Sequence, residues 1–322
     1  MIKAAIAGGT GYTAGELLRI LIRHPEVEVT DVLSTTSAGK PVTSFHRDLL
    51  GETFLTFTDS LSGNEDVIFL CLGHGLSREF LDTHELPEGC KIIDLGNDFR
   101  TEPDYKDRHF IYGLTDVFKI QISGCDYVAN PGCFATAIQL ASVPLAAMHL
   151  LQDELHVTAI TGSTGAGRKL SETTHFSYRT DNISVYKPFT HQHLGEICQT
   201  LEILGGSCPQ VNFVPMRGDF ARGIFASVYT KCEMDVAQLT ELYQNYYSDS
   251  PFVFVSEEPI SMKEVVGTNK CLLHVDSHNG YAHITSIIDN LTKGASGQAV
   301  ENMNLMFGLE QTTGLKFKAN YY

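Results

Sequence analysis

A glycine-rich loop between an apolar strand and an amphipathic helix limits most strongly how this chain can fold. Residues 3–7 form a short apolar run that predicts a strand, and residues 8–15 contain four glycines. Apolar side chains at helical spacing follow over 16–23, closed by Pro25, and residues 27–33 alternate as a second strand. This order of strand, glycine loop, helix and strand indicates the opening of a dinucleotide-binding fold.

The glycines of this loop determine how closely a ligand can approach the backbone. Gly8 and Gly11, together with either Ala14 or Gly15, allow the sharp turn and the approach of a pyrophosphate to the helix N-terminus. The sequence leaves open which of Ala14 and Gly15 packs closely beneath the helix.

The rest of the chain predicts a second kind of sheet. Apolar runs at 66–72 and 91–95, each followed by a glycine, predict further parallel strands of the first sheet. Beyond residue 133 several strands follow one another. They are predicted at 155–161, 211–216, 223–230, 252–256, 271–275 and 281–288, with helices at 191–204, 236–247 and 297–309. We therefore expect an α/β protein with an N-terminal Rossmann-type parallel sheet domain and an α+β domain containing a mixed or antiparallel sheet.

The tetrapeptide Asn130-Pro131-Gly132-Cys133 marks the change of pattern. It ends a predicted strand at 126–129 and opens an apolar helix near Phe134, because Pro131 breaks the strand and Gly132 permits a sharp turn. We expect Cys133 at the helix N-terminus, where unpaired N–H groups and the helix dipole favour a thiolate. Such a cysteine suits covalent acyl chemistry, and a small buried side chain is the alternative.

Composition disfavours several classes of function. The net charge of −15, from 23 basic and 38 acidic residues, disfavours binding to nucleic acid or an anionic membrane but allows a local basic pocket. The eight cysteines include no C-x-x-C pair, which disfavours a zinc ribbon or a redox dithiol. The N-terminal residues do not form a signal-peptide pattern, so we expect reduced thiols and a cytoplasmic protein.

One long stretch without charge needs separate consideration. No charged side chain lies between Asp126 and Asp153, a length sufficient for a membrane span. Asn130, Gln139 and Pro144 interrupt its apolar pieces. We expect a strand, a turn and a buried helix that is kinked or broken near Pro144.

Several separated segments together match a known family pattern. They are Gly8–Arg23, Asp94–Arg100, Asn130–Cys133, Gly165–Lys169, His191–His193, Arg222–Ile224 and Ile288–Leu291 through Asn302–Leu309. On these segments the chain resembles the N-acetyl-γ-glutamyl-phosphate reductases of arginine biosynthesis, within the semialdehyde dehydrogenase superfamily. The resemblance implies NADPH-dependent reduction of an acyl phosphate to an aldehyde.

The resemblance also implies an arrangement of domains. An NADP-binding Rossmann domain would span 1–132, joined by a C-terminal helix at about 297–322. A catalytic and oligomerisation domain would span 133–296. The expected assembly is a homodimer or homotetramer, and the expected partners are the small-molecule acyl phosphate and inorganic phosphate.

The implied chemistry gives roles to three kinds of side chain. Cys133 is implied as the nucleophile that displaces phosphate and carries a thioester. A general acid or base must then manage a proton, for which we favour His193 over His191, with Glu196 as an orienting group. As surface residues at a helix start, the two histidines would have no such role.

A substrate with a carboxylate and a phosphate needs cationic partners. The implied substrate-binding residues are Arg100, Arg222, Asn130 and Ser163. Arg217, close to Arg222 in sequence, carries the same charge but is not among the residues that the resemblance implies. Residues 163–167 either wrap an anion with their backbone N–H groups or form an ordinary loop.

The implied cofactor is NADP(H). Its candidate binding residues are Gly8, Thr10, Gly11, Tyr12, Thr13, Ser34, Thr36, Ser37, Gly73, His74, Gly165 and Asn290. An acidic residue at the end of the second strand would select NAD, but residues 34–37 carry hydroxyls there, which favour the 2′-phosphate of NADP. Asp31, a few positions earlier, is the competing ligand for the ribose. No metal site is expected, because His191 and His193 lack a third ligand nearby in sequence.

Other interpretations stay open. A related reductase could act on aspartyl phosphate, as aspartate-semialdehyde dehydrogenase does, or the chain could bind NADP without catalysis. Within the family, an N-succinyl substrate is the alternative to the favoured N-acetyl one. The His-Gln-His order and the aromatic and polar stretch 173–189 motivate that alternative, and Arg179 or Lys187 would then bind the added carboxylate.

Overall fold

The chain folds into two units. The computed structural model describes residues 1–73 and 75–322. Residues Met1–Pro131 and Ala295–Lys316 form the first unit, and Gly132–Gly294 with Phe317–Tyr322 form the second.

The strands and helices are numbered in chain order. The strands are β1 (Ile2–Ala7), β2 (Val27–Leu33), β3 (Val67–Leu70), β4 (Lys91–Asp94), β5 (Asp104–Tyr105), β6 (Arg108–His109), β7 (Ile111–Tyr112), β8 (Tyr127–Ala129), β9 (Leu155–Thr161), β10 (Ser184–Val185), β11 (Val211–Arg217), β12 (Ile224–Lys231), β13 (Val253–Ser256), β14 (Cys271–His278) and β15 (Tyr281–Ile288). The α-helices are α1 (Tyr12–Leu21), α2 (Leu76–Thr83), α3 (Thr115–Ile122), α4 (Cys133–Ala147), α5 (Phe176–Arg179), α6 (Leu194–Gly205), α7 (Val236–Tyr246) and α8 (Gly297–Met306).

The first unit contains a parallel sheet of six strands in the order β2-β1-β3-β4-β8-β7. Its central strands are buried on both faces, as residues 4–7 and 67–70 show, and this is typical of parallel sheets covered by helices. The prediction of a Rossmann-type parallel sheet is confirmed. Helix α8 packs against α1, α3 and β4, so a segment near the C-terminus completes this unit.

The second unit contains a mixed sheet of seven strands in the order β10-β11-β9-β12-β15-β14-β13. The pairs β11–β9 and β14–β13 are parallel, and the other neighbours are antiparallel. Helix α4 packs against α6, β12 and β15, which places its first residue near the start of α6. The predicted mixed sheet is confirmed.

Of the kink or break expected near Pro144, the break is not observed. Helix α4 runs through Pro144 to Ala147. Proline removes the N–H that would bond to the carbonyl four residues earlier, that of Leu140. The hydroxyl of Tyr247 donates to this carbonyl at 2.6 Å instead, and Tyr243 donates to the next carbonyl, that of Ala141. An external donor, Tyr247, therefore satisfies the one carbonyl that the proline leaves without its helical partner.

The uncharged stretch is a buried part of the fold. Residues 134–146 are buried throughout, packed inside the second unit. Within the part of the chain that the structure describes, every helix is too short or too polar to cross a bilayer.

Candidate active site

The glycine loop of the first unit closes tightly on the neighbouring strands. Gly8 has φ +84°, and a Cβ there would lie 2.5 Å from the carbonyl oxygen of Cys71. A Cβ on Gly9 would lie 2.5 Å from Val32. At Gly11, which precedes α1, the nearest atoms would be 3.7 Å away. Packing therefore requires glycine at 8 and 9, whereas glycine at 11 leaves the helix N-terminus accessible.

This N-terminus suits a dinucleotide pyrophosphate. Gly11 offers no side chain to cap α1, and the first turn contains no acidic residue. Unpaired N–H groups and the positive end of the helix dipole stabilise a phosphate at such a position. Of the neighbouring candidates, Thr10 directly precedes Gly11, and Tyr12 and Thr13 begin the first turn of α1; their contacts with a cofactor stay predictions.

Ala14 and Gly15, both in the first half of α1, are packed in different ways. Ala14 is fully buried, whereas a Cβ on Gly15 would lie 2.5 Å from Nδ1 of His46. The other ring nitrogen of His46 bonds to the carbonyl of Gly9 at 2.7 Å. Glycine at 15 thus makes room for a histidine that supports the loop, a contact that sequence reasoning missed.

The end of β2 presents hydroxyl groups. β2 ends at Leu33, so Ser34 is the first residue after the strand. Thr36, two residues further on, is exposed. Ser37 is buried and its N–H donates to the carbonyl of Ser34, so it shapes this turn. Asp31 lies earlier in β2, is buried and accepts the hydroxyl of Ser62 at 2.6 Å. Its carboxylate therefore has an internal partner, and its contact with a ribose stays a prediction.

Arg100 and Asn130 lie together in the first unit. Nε of Arg100 donates to the carbonyl of Asn130 at 2.8 Å, and Nη2 donates to the carbonyl of Leu95. The side chain of Asn130 accepts from Asn302 at 3.0 Å and donates to the carbonyl of Ala295. Both residues therefore fix the segment that leads into Pro131.

Cys133 is the first residue of α4 in the second unit. The N–H of Gly132 donates to Glu196 Oε2 at 3.0 Å. A Cβ on Gly132 would collide with the imidazole of His193 and lie 2.7 Å from Glu196 Oε1. Glycine is required here because His193, which directly precedes α6, and Glu196 of α6 lie against the backbone directly before the cysteine. The predicted helix N-terminus at Cys133 is observed.

The two histidines differ in their environment. Burial lowers the pKa of His191 to about 4, and the charges of Lys187 and Arg217 act in the same direction. Nδ1 of His191 accepts the backbone N–H of His193, so the neutral ring carries its proton on Nε2. Nε2 of His193 instead lies 3.9 Å from Glu196 Oε1. His193 is thus the histidine placed against Gly132, with a carboxylate beside it.

Comparison with known proteins assigns both halves of the chain. Residues 3–125 match the family model described as semialdehyde dehydrogenase, NAD binding domain. Residues 133–290 match the model described as semialdehyde dehydrogenase, dimerisation domain. The chain belongs to the semialdehyde dehydrogenase family.

Close relatives share this family over their full length. A Flavobacterium johnsoniae protein named N-acetyl-gamma-glutamyl-phosphate reductase is 53% identical over 321 residues, 99% of each chain. A Phocaeicola vulgatus protein of the same name is 51% identical over 324 residues, 100% of each chain. The resemblance inferred from the motifs is therefore confirmed.

Solved structures share the fold of this semialdehyde dehydrogenase. Aspartate semialdehyde dehydrogenase II from Vibrio cholerae, complexed with ASA, superposes with a TM-score of 0.72 at 16% identity, over 96% of this chain and 98% of that one. The Candida albicans enzyme with NADP gives 0.69 at 15% identity, over 95% and 98%. At such identities the likeness concerns the fold alone.

Other predicted site residues of this semialdehyde dehydrogenase have internal partners. Arg222 forms an ion pair with Asp289, with Nε 3.0 Å from Oδ2, and Nη2 donates to Thr292. The buried Asn290 accepts the N–H of Gly223 at 2.7 Å and donates to Thr164. Their direct contacts with ligands stay predictions; in the structure they fix the loops beside them.

The loop at 163–167 is internally bonded. The N–H groups of Ser163, Thr164, Gly165 and Gly167 donate to carbonyls of Phe220, Ala221, Gly162 and Thr164, respectively. These groups are therefore not directed at an anion, and the interpretation as an ordinary loop fits them. In the first unit, Gly73 is exposed and its carbonyl accepts the N–H of Leu76; His74 lies outside the described residues.

Two residues near the histidines were missed or set aside by sequence reasoning. Tyr186 follows β10, which pairs with the end of β11 at Arg217. The Arg217 guanidinium lies over the Tyr186 ring, with Cζ 4.6 Å from the ring centroid. No local pattern could reveal this contact, because strand pairing brings together residues far apart in sequence.

Proposed function

We propose that this chain reduces N-acetyl-γ-glutamyl phosphate to N-acetylglutamate 5-semialdehyde and phosphate with NADPH, a step of arginine biosynthesis. The observation that carries the assignment is the setting of Cys133 at the start of α4, with Glu196 on the N–H of Gly132 and His193 against the same residue. Full-length relatives at about half identity carry the corresponding name.

Cys133 performs the covalent step. Its thiolate attacks the acyl carbon, a carbon–sulfur bond forms, and the carbon–oxygen bond to phosphate breaks with the electron pair leaving on phosphate. The N-terminus of α4 favours the thiolate, since unpaired N–H groups and the helix dipole stabilise negative charge there. An acyl phosphate is already activated, so no separate activating group is needed.

His193 manages the proton of the second step. NADPH, when bound, supplies the hydride that reduces the thioester carbonyl. Protonated His193 donates a proton to the oxygen on which this reduction leaves a negative charge, which gives a hemithioacetal on Cys133. His193 takes the proton back as the hemithioacetal collapses, its carbon–sulfur bond breaks and sulfur leaves as thiolate. His191 stays neutral near pH 7 and is suited to donate a hydrogen bond through Nε2. Glu196, 3.9 Å from Nε2 of His193, orients the acid/base.

The first unit supplies the residues for NADP(H). The N-terminus of α1 after Gly11 would hold the pyrophosphate, and Ser34 with Thr36 would bond to the 2′-phosphate. The match of residues 133–290 to a dimerisation domain supports a homodimer or homotetramer. The proposed location is the cytoplasm. N-acetyl is favoured over N-succinyl because the full-length relatives carry the N-acetyl name. Action on aspartyl phosphate has weaker support, since the aspartate enzymes share only 16% identity.

A reverse-direction assay tests the assignment. NADP, inorganic phosphate and N-acetylglutamate 5-semialdehyde should give NADPH only when all three are present. Cys133→Ser should abolish this activity, whereas Cys125→Ser, a matched exchange at a half-buried cysteine of the first unit, should retain it. Turnover that does not require phosphate, or preference for aspartate semialdehyde, would contradict the assignment.

A further inference from the structure

Two cations act electrostatically on His191: Lys187, on the segment after β10, and Arg217, at the end of β11. Tyr186 and Lys187 follow β10, and the N–H of Tyr186 donates to the carbonyl of Pro215 in β11. Lys187 has φ +46°, a left-handed conformation that costs energy for a side chain of this kind. The backbone is thus held in an unfavourable conformation at the residue that carries one of the two charges.

Arg217 differs from the other arginines of the second unit. The buried Arg179 donates to the carbonyls of Thr173, Asn182 and Arg217 and to the hydroxyl of Ser184. Arg222 is paired with Asp289, and Arg168 is exposed. Nε of Arg217, in contrast, is buried and has no hydrogen-bond partner among the described residues. A buried donor without an acceptor costs stability, which suits a site completed by a ligand.

No described carboxylate neutralises these charges. Arg217 lies over the ring of Tyr186, and Lys187 donates to the side-chain oxygen of Gln192 at 3.3 Å; neither forms an ion pair with a described residue. In a chain of net charge −15, two cations that both act on His191 and have no carboxylate partner among the described residues indicate a place for an external anion. Arg179, one of the two cations predicted for an added carboxylate, is excluded by its internal bonds.

The ring of Tyr186, which Arg217 covers, lies in one aromatic cluster with the two histidines. The Tyr186 ring is 5.7 Å from that of His191, which is 4.6 Å from that of His193. His193 in turn contacts Gly132, the neighbour of Cys133. Burial raises the pKa of Tyr186, and the charge of Cys133 raises it further. The Tyr186 hydroxyl therefore remains a donor at neutral pH.

We propose that Arg217, with the Tyr186 hydroxyl and Lys187, binds a carboxylate of the N-acylglutamyl substrate while its acyl carbon reacts at Cys133. This inference rests on the proposed function and adds the residues that recognise the substrate. Guanidinium and carboxylate match in geometry and charge, and an anion at Arg217 would also give its buried Nε an acceptor. Two carboxylates share this chemistry: the α-carboxylate of every such substrate and the terminal one of an N-succinyl group.

Kinetics with three semialdehydes show which of the two carboxylates Arg217 binds. They are N-acetylglutamate semialdehyde, its uncharged α-carboxamide analogue and the N-succinyl compound. Arg217→Gln should lower kcat/KM about 10- to 100-fold for a substrate whose carboxylate it binds, mainly through KM. Equal losses with the N-acetyl and N-succinyl compounds assign the α-carboxylate, and a loss confined to the N-succinyl compound assigns the terminal one. An equal loss on the carboxamide, or no loss at all, would overturn the proposal.

A second experiment does not depend on turnover. Iodoacetate carries a carboxylate, iodoacetamide is its neutral counterpart, and both alkylate a thiolate. The ratio of their rates at Cys133, followed by mass spectrometry of its peptide, should fall about tenfold in Arg217→Gln. Arg217→Lys should retain most of the ratio. Lys231→Gln, which removes an exposed cation at the end of β12, should leave it unchanged.

The two experiments separate two kinds of failure. If no semialdehyde is turned over by the natural sequence, the proposed function fails, and the alkylation ratio still decides whether Arg217 attracts a carboxylate to Cys133. An unchanged ratio in Arg217→Gln overturns the inference about Arg217 even if the reductase activity is established.

Discussion

The carboxylate of Glu196 accepts the backbone N–H of Gly132 at 3.0 Å, so a side chain of α6 fixes the residue directly before the candidate nucleophile. The same carboxylate lies 3.9 Å from His193 and is almost completely buried. One contact between the starts of α4 and α6 and one within the start of α6 thereby link the segments of the candidate nucleophile, acid/base and orienting carboxylate. This arrangement gives the first prediction.

Glu196→Gln should separate the two roles of this side chain. Glutamine keeps an oxygen for the N–H of Gly132 but removes the charge beside His193, so kcat should fall by up to roughly 10²-fold while the melting temperature changes little. Glu196→Ala should also lower the free energy of unfolding by about 1–3 kcal/mol, because the N–H of Gly132 loses its acceptor. Glu202→Gln, exposed on the same helix, is the control; unchanged kcat in Glu196→Gln would contradict this role.

Tyr247→Phe should destabilise the protein without changing its chemistry. The variant removes the donor to the carbonyl of Leu140, which Pro144 leaves without its helical partner. We expect the free energy of unfolding to fall by about 1–3 kcal/mol in denaturant titrations. The loss should shrink in a Pro144→Ala background, where the helix supplies its own N–H. The same loss in both backgrounds would show that the hydroxyl does not compensate for the proline.

Ser34→Asp should change the cofactor preference. A carboxylate directly after β2 would repel a 2′-phosphate and bond to a ribose 2′-hydroxyl instead. The ratio of kcat/KM for NADPH over NADH should fall by about tenfold or more, since a charge-assisted hydrogen bond is worth about 1.5–3 kcal/mol. Asp31→Asn should leave this ratio unchanged, because that carboxylate bonds to Ser62. A shifted ratio in Asp31→Asn would restore Asp31 as the ribose ligand.

Asp94 should make stability depend on pH. Burial raises the pKa of this carboxyl to about 6, above the unfolded value of about 3.9. Its protonated form therefore stabilises the fold below about pH 4, and this contribution is lost as the pH rises through about 6. Asp94→Asn keeps an acceptor for Ser77. Its free energy of unfolding, compared with that of the natural protein at the same pH, should therefore be higher at pH 8 than at pH 4. The exposed Asp59→Asn should show no such trend, and a parallel pH profile for natural protein and Asp94→Asn would contradict the assignment.

Local sequence patterns predicted the sheets and the start of α4, because glycine, proline and apolar periodicity act over a few residues. The glycine loop at 8–15 and the turn at Gly132 are of this kind. The path of α4 through Pro144 was not predictable, since the compensating donor Tyr247 lies far along the chain. The contact between His46 and the carbonyl of Gly9 was not predictable for the same reason, since the two residues are far apart in sequence.

The candidate site was predicted in part for the same reason. Cys133, His193 and Glu196 lie on segments with their own patterns, and the structure brings them together. Arg217 was set aside as a decoy and Arg179 considered as a ligand, because sequence cannot show which guanidinium is already bonded. The antiparallel pairing of β10 with β11 decides this by placing Tyr186 under Arg217.

Intact-protein mass spectrometry of the acyl-enzyme tests the central claim most directly. Incubation with N-acetylglutamate 5-semialdehyde and NADP in the absence of phosphate should leave one N-acetylglutamyl group on the peptide that contains Cys133. Addition of phosphate should remove it. Cys133→Ser should acquire no adduct, and Cys125→Ser should acquire the same adduct as the natural protein. An adduct on another residue, or full turnover by Cys133→Ser, would contradict the account.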